Sequence, residues 1–294
     1  MSGRILVVGD VMTDVIVVPE GPIVKGSDRR ATVRSHPGGS GANQAVWLGA
    51  MAADVVFAAR VGRADLAMYA GHFRGLNVVP VLAGDAELPS GVLVTIVDGD
   101  GERSFFTDRG ANLNLGVADL PASLLDDVSM VMVSGYSFFA PGPRAAVRAL
   151  LAQAQARGIA LAVDPASVGF LAETGAAEFL AWTAGADWLF ANADEAELLT
   201  GLTDYRQQIV ALGAHYRNVV VKRGGLGAAL GGQAGVRHQL PAPEVTVVDS
   251  TGAGDAFAAG FLAALLDGQD EAAAMAAGIA AGARAVQTIG GQPR

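Results

Sequence analysis

Cysteine is absent from the 294 residues, which rules out disulfide staples, thiolate zinc sites and thiol nucleophiles together. Histidine is scarce as well. His36, His72, His215 and His238 lie far apart and never at the His-x-x-x-His spacing that places two imidazoles on one metal. Lysine occurs only as Lys25 and Lys222, within a formal net charge of −9. No basic run is present to track a phosphate backbone, so nucleic acid is not expected as a partner. Long apolar runs are missing too. Ala256–Leu266 and Ala272–Ala283 are too short to span a bilayer and read as buried helices, so no membrane partner is expected. The N-terminus enters Ile5-Leu-Val-Val8 without a basic region or a cleavage site, and a cytoplasmic location is expected.

What is present is alanine, glycine and short β-branched runs. Ile5–Val8, Val55–Ala58, Met130–Val133, Ala160–Val163, Trp188–Phe190 and Val219–Val221 read as strands. Helical spacing appears between several of them, as in Pro143–Arg157 and Glu195–Thr200. Continuously apolar strands alternating with helices predict a doubly wound α/β fold whose mainly parallel sheet is covered on both faces. Val15–His36 and Gly91–Thr107 break that rhythm, with Asp98-Gly-Asp-Gly-Glu102 as a hairpin signal. These extended segments, about 12–37 and 89–109, are expected to form a small β-sheet lid inserted into a single domain of residues 1–294. A pair of ordinary surface hairpins would fit the same pattern.

The densest chemistry lies in Val247-Val-Asp-Ser-Thr-Gly-Ala-Gly-Asp255, which runs into an apolar helix. Small residues at 252–254 let backbone N–H groups crowd one point, where the helix dipole also favours negative charge. Asp255 adds a proton acceptor beside that anion hole. The pair is suited to moving a phosphoryl group onto a hydroxyl. A plain Asp/Gly cap at a strand-to-helix junction accounts for the same residues.

Four further segments carry candidate ligands. Gly9-Asp-Val-Met-Thr-Asp14 follows the first strand and places Asp10 and Asp14 where open α/β sheets bind substrates, although Asp also caps turns. His36-Pro-Gly-Gly-Ser-Gly-Ala-Asn43 offers close backbone approach at Gly38, Gly39 and Gly41 and an amide at Asn43, a combination suited to a polyol. Asn192 and Glu195, three apart at a helix start, suit a water-held magnesium ion or a simple capping box. Lys222-Arg-Gly-Gly-Leu-Gly227 closes a strand with a glycine turn that either lines a nucleotide or merely turns the chain. Neither standard nucleotide loop, G-x-G-x-x-G nor G-x-x-x-x-G-K-[ST], occurs in the required setting.

Taken in order, Gly9/Asp10/Asp14, Gly-Gly-x-Gly-x-Asn at 38–43, Asn192-x-x-Glu195 and Asp249-Ser-Thr-Gly-Ala-Gly-Asp255 resemble the ribokinase-like (PfkB) carbohydrate kinases over nearly the whole chain. The resemblance implies an α/β core with a β-sheet lid, often shared across a homodimer. It also implies magnesium-dependent transfer of the γ-phosphoryl group of ATP to a hydroxyl of a small sugar or sugar acid. Asp255 would be the base, and Gly252, Ala253 and Gly254 the anion hole. Asp14, Gly39 and Asn43 would hold the acceptor, with Asp10 beside them. Arg109 and Asn112, at the exit of the second lid segment, either reach the substrate from above or hold the lid turn. Asn192, Glu195, Lys222, Gly224 and Gly227 would face the nucleotide, Glu195 reaching magnesium through water.

The chain departs from ribokinases at several positions. Ser40 stands where they usually carry lysine, and Val133-Ser-Gly-Tyr136 lacks their substrate-facing glutamate. Gly278 stands where many members place asparagine against adenine. Asp249, Thr251 and Gly290 fit the pattern of potassium-activated members, without deciding potassium activation. Phe105, Phe106, Tyr136 and Phe138 keep a nucleoside kinase as an alternative, and a non-catalytic sugar-binding protein is the rival from another class.

Overall fold

A computed structural model describes residues 3–98 and 103–293. The expected turn at 98–102 therefore lies, apart from Asp98, outside the described residues. Strands are β1 (Arg4–Val8), β2 (Met12–Pro19), β3 (Ala31–Gly38), β4 (Val55–Gly62), β5 (Val78–Asp85), β6 (Gly91–Val97), β7 (Arg103–Asp108), β8 (Val128–Ser134), β9 (Ala160–Asp164), β10 (Trp188–Asn192), β11 (Asn218–Lys222), β12 (Ala228–Gly232) and β13 (Gly235–Leu240). Helices are α1 (Ser40–Ala50), α2 (Leu66–Gly75), α3 (Pro141–Ala156), α4 (Val168–Thr174), α5 (Ala176–Trp182), α6 (Ala193–Thr200), α7 (Tyr205–Leu212), α8 (Ala253–Leu266) and α9 (Glu271–Ala285).

The large sheet has the order β13-β12-β11-β10-β9-β8-β1-β4-β5. It is parallel from β11 to β5, while β12 and β13 join antiparallel at one edge. Alternation along each strand divides the core. Ile5, Val7, Phe57, Met132 and Phe190 pack under α1, α2, α8 and α9. Leu6, Val8, Val131, Val163 and Leu189 pack under α3 to α7. Burial on both faces explains why these strands read as unbroken apolar runs.

The two segments that broke the rhythm form a second sheet, of order β3-β2-β6-β7. The β2–β3 and β6–β7 pairs are antiparallel, and β2 runs parallel to β6. Strand β2 starts at Met12, where its pairing with β3 begins opposite Gly38. Register places Asp14 opposite both His36 and Leu93, so Met12, Asp14, Leu93 and Phe105 share one face. The other face carries Val15, Val17, Val33, Val94 and Phe106, and Val33 and Phe106 are more than half exposed.

Candidate active site

Neighbouring parallel strands end on functional side chains. Strands β11, β10, β9 and β8 finish at Lys222, Asn192, Asp164 and Ser134, and β1 is followed two residues later by Asp10. The carboxyl edge of a parallel sheet is where such folds open a crevice. Here the crevice is a cleft of about 880 Å³. Its roof includes Met12, Asp14, Leu93 and Phe105 of the small sheet, and its floor includes the N-terminus of α8.

Gly252 caps α8 at φ +73°, the left-handed region that favours glycine. A Cβ there would come within 2.5 Å of Gly291 Cα, so close packing against the C-terminal segment also demands glycine. Past this cap Asp255 occupies the third position of α8 and lines the cleft with Gly252, Ala253 and Gly254. Three neutral donors from the first turns of α1 hold its carboxylate. Ser40 Oγ donates to Oδ1 at 2.7 Å, Gln44 Nε2 to Oδ1 at 3.2 Å and Asn43 Nδ2 to Oδ2 at 3.0 Å. Burial, and next the charge of Asp164, push the Asp255 carboxyl up to about 7, against the lowering effect of Asn43, Ser40 and Lys222.

At the small-sheet end, Asp10 accepts from the Gly41 N–H at 3.0 Å and pairs with Arg109 at 3.1 Å. Arg109 also lies over the Tyr136 ring, 4.6 Å from its centroid. Asp14 is buried, and burial with the nearby charges of Asp10 and Asp249 raises its carboxyl to about 7. Gly38 gives it room, because a Cβ there would overlap the Asp14 carboxylate. Gly39 and Asn43 complete this end of the cleft. Asp14 Oδ1 and Asn43 Oδ1 are buried and have no hydrogen-bond partner among the described residues. Asn112 does not line the cleft. It braces the loop after β1 through the Val11 N–H at 2.9 Å.

At the opposite end, Asn192 and Glu195 form the reciprocal capping box of α6, with both bonds 2.8 Å long. The structural reading of that pair is therefore realised, and both side chains still line the cleft. Burial, followed by the charge of Asp164, raises the Glu195 carboxyl. Lys222 Nζ donates to Asp164 Oδ2 at 2.6 Å. Burial opposes the charge of that ammonium, but Asp164 and Glu195 outweigh it and raise its pKa above the ordinary value. Gly224 and Gly227 line the same wall, and Gly227 at φ +87° packs where a Cβ would meet the Leu240 carbonyl.

Gly278 is not brought to the cleft. It faces α8, where a Cβ would stand 2.9 Å from the Phe257 carbonyl oxygen, so its role is close helix packing. The part of α9 that reaches the cleft carries Ile279, Gly282 and Ala283 instead, because a helix rotates its face by about 100° per residue. Asp249 and Thr251 meet in a turn in which the Thr251 N–H donates to Asp249 Oδ1 at 2.9 Å. Asp249 Oδ2 accepts from the Gly290 N–H at 2.9 Å, tying the loop to the C-terminal segment.

Sequence reasoning overlooked Asp164, and also the grip of Ser40 and Gln44 on Asp255. Asp164 was detectable as a carboxylate at the carboxyl end of a strand. Ser40, Asn43 and Gln44 share one helix face at spacings of three and four.

A model of the pfkB family carbohydrate kinases matches residues 2–294. A fructokinase from Klebsiella pneumoniae is 30% identical over 90% of this chain and 85% of its own length. An ATP-dependent ribose-1-phosphate kinase from Halopiger xanaduensis is also 30% identical, over 92% and 88%. The crystal structure of adenosine kinase from Sinorhizobium meliloti superposes with a TM-score of 0.87 at 23% identity, covering 100% of this chain and 96% of that one. At that identity the likeness shows a shared fold. The sequence matches carry the assignment: the chain is a kinase and belongs to the pfkB family of carbohydrate kinases.

Proposed function

We propose that this kinase moves the γ-phosphoryl group of Mg-ATP onto a hydroxyl of a small sugar or sugar acid, with Asp255 as base. The observation that carries the reading is a part-buried carboxylate at the N-terminus of α8, held by Ser40, Asn43 and Gln44, raised to about 7 and flanked by Gly252, Ala253 and Gly254. A base poised near neutrality is suited to general base catalysis at physiological pH. The nucleotide supplies the transferable phosphoryl group and a magnesium-neutralised leaving phosphate. Asp255 accepts the proton of the acceptor hydroxyl as the new O–P bond forms, and the electron pair of the breaking P–O bond leaves on the β-phosphate. Backbone N–H groups at the start of α8 receive the charge on the transferring group.

The residues present fit those groups. Lys222 Nζ lies 3.1 Å from the position a Cβ would take at Gly254, so a fixed cation adjoins the helix N-terminus. Asn192 and Glu195 supply oxygen atoms for a magnesium ion that keeps its waters. Among the described residues no cluster of three or more His, Cys, Asp or Glu could hold a metal alone, so the ion would ride on phosphate and water. We assign no step to potassium.

Asp14, Asn43 and Gly39 hold the acceptor, with Asp10 and Arg109 beside them. The unpartnered Oδ1 atoms of Asp14 and Asn43 support this, since buried polar atoms without partners are costly and hydroxyl groups of a polyol would satisfy them. A nucleoside acceptor is the second reading, favoured by the aromatic side chains of Phe105, Tyr136 and Phe170 in the same cleft. The small sheet acts as a lid over the acceptor. A second copy of this chain would cover its apolar outer face of Val15, Val17, Val33, Val94 and Phe106.

ADP release with Mg-ATP across ketoses, aldoses, sugar acids and nucleosides tests the reading. Turnover on one class, lost in Asp255→Asn, supports it. Silence with no nucleotide binding would instead favour a non-catalytic sugar-binding protein.

A further inference from the structure

The Asp164–Lys222 pair has a place in the cleft that the capping and packing of the fold do not explain. Both side chains are nearly buried, with 4% and 11% of their surfaces exposed, and Nζ to Oδ2 is 2.6 Å. Asp164 is the sole hydrogen-bond partner of Nζ among the described residues, so two of the three ammonium protons remain unspent. The ammonium is aimed at the start of α8. A Cβ added at Gly254 would stand 3.1 Å from Nζ and 3.8 Å from Cε. A largely buried cation that lines the cleft with unspent donors beside an anion hole is placed to receive an anion there.

We propose that Lys222 is a catalytic residue that contacts the phosphoryl group during transfer, and that Asp164 is the positioning residue that keeps it charged and aimed. The inference rests on the kinase reading and deepens it from nucleotide binding to stabilisation of the transferring group. As the P–O bond to the leaving phosphate breaks and the bond to the acceptor oxygen forms, the two free N–H groups of Nζ meet the equatorial oxygens together with the α8 amides. Nζ keeps its protons throughout, because the acceptor proton goes to Asp255. Strand geometry supports the division of labour. Asp164 ends β9 and Lys222 ends β11, with only β10 between them, so the pair spans the strand that carries Asn192 and braces the nucleotide wall from both sides.

Two measurements on Lys222→Met, Asp164→Asn and the double variant test this. The first is steady-state turnover with Mg-ATP and whichever of D-ribose, D-fructose or adenosine the wild type phosphorylates. Lys222→Met is expected to lower kcat by about 10²–10³ with the KM for ATP moved less than about threefold, the pattern of an interaction made in the transition state. Asp164→Asn is expected to lower kcat at least about tenfold, and the double variant to be no worse than Lys222→Met, since a residue acting through another adds nothing once that partner is gone. The second is calorimetric titration with ADP, with and without aluminium fluoride as a planar mimic of the transferring group. The fluoride-dependent tightening should be lost in both single variants while ADP alone still binds.

A rise in KM for ATP at unchanged kcat, independent losses in the double variant, or retained fluoride tightening would each overturn the proposal. If Asp164→Asn melts below the assay temperature, Lys222→Met and the double variant, which lack the buried cation, still decide. A wild type that phosphorylates none of the three acceptors and shows no fluoride tightening with ADP would remove the kinase reading itself.

Discussion

Asn43 and Asp255, separated by 212 positions in the chain, are joined by a 3.0 Å hydrogen bond from the amide to the carboxylate. The amide of the expected acceptor site and the expected base thus form one unit, built where the first turns of α1 and α8 meet. An arriving hydroxyl would enter between groups that are already oriented, which is how a fold lowers the entropic cost of reaching the reactive geometry.

Replacing Asp255 with asparagine keeps the shape and removes the proton acceptor. The expected result is a fall in kcat of about 10²–10⁴ with an unchanged melting temperature or a slightly higher one. Coupled measurement of ADP release checks it, and a variant retaining more than about a tenth of wild-type kcat would remove Asp255 from the role of base.

The pH profile follows from the same carboxyl. Asp255 must be ionised to accept a proton, and burial with Asp164 raises it to about 7. kcat/KM is therefore expected to fall as pH drops below about 7, as Asp255 and the Asp14 carboxyl beside it take up protons. Ser40 lowers that value by donating to Oδ1, so Ser40→Ala should move the acid limb to higher pH while activity at pH 9 stays within a few-fold. A limb that stays in place would show that Ser40 does not hold the ionised base.

Asp14 links function to stability with a definite sign. Its carboxyl ionises near 3.8 when unfolded and near 7 when folded, so the native state holds the proton more tightly. Its contribution is most favourable below pH 3.8, declines as pH rises to about 7 and stays low above that. Asp14→Asn should therefore be more stable than the wild type at pH 8 by at least about 1 kcal/mol, with the difference closing near pH 4. Thermal melts at the two pH values check this, and the KM for the acceptor should rise in the same variant.

Gly252 tests the anion hole through its backbone. An alanine there needs φ +73° and would press on Gly291. Gly252→Ala is expected to lower both the melting temperature and kcat, the latter by about 10²–10³ for a displaced amide donor. Activity near the wild-type level would show that the helix N-terminus is not used in transfer.

Strands such as Ile5–Val8 and Val219–Val221 were legible because burial on both faces leaves an unbroken apolar run. The glycine turns at 38–41 and 252–254 were legible because few other residues permit such backbone. Strands β5 and β13 went unread because mixed burial blurs their pattern, and β12, although buried throughout, because Ala228-Ala-Leu-Gly-Gly232 carries no β-branched residue. Gly278 was misplaced for a related reason. Helical position along α9 was readable, but which face meets the cleft depends on how α9 packs on α8.

Local chain chemistry alone was enough to specify the central strands, the helix N-terminus that opens α8 and the carboxylates at turn positions. Those properties follow from backbone sterics and side-chain identity within a few residues. Only the assembled sheet decided that Lys222 meets Asp164, that Ser40 and Gln44 share the burden of Asp255, and that Asp14 and Asp255 are pushed towards neutrality. Such pairings and pKa values arise from burial and from charges brought together across tens to hundreds of residues, and sequence spacing carries no record of either.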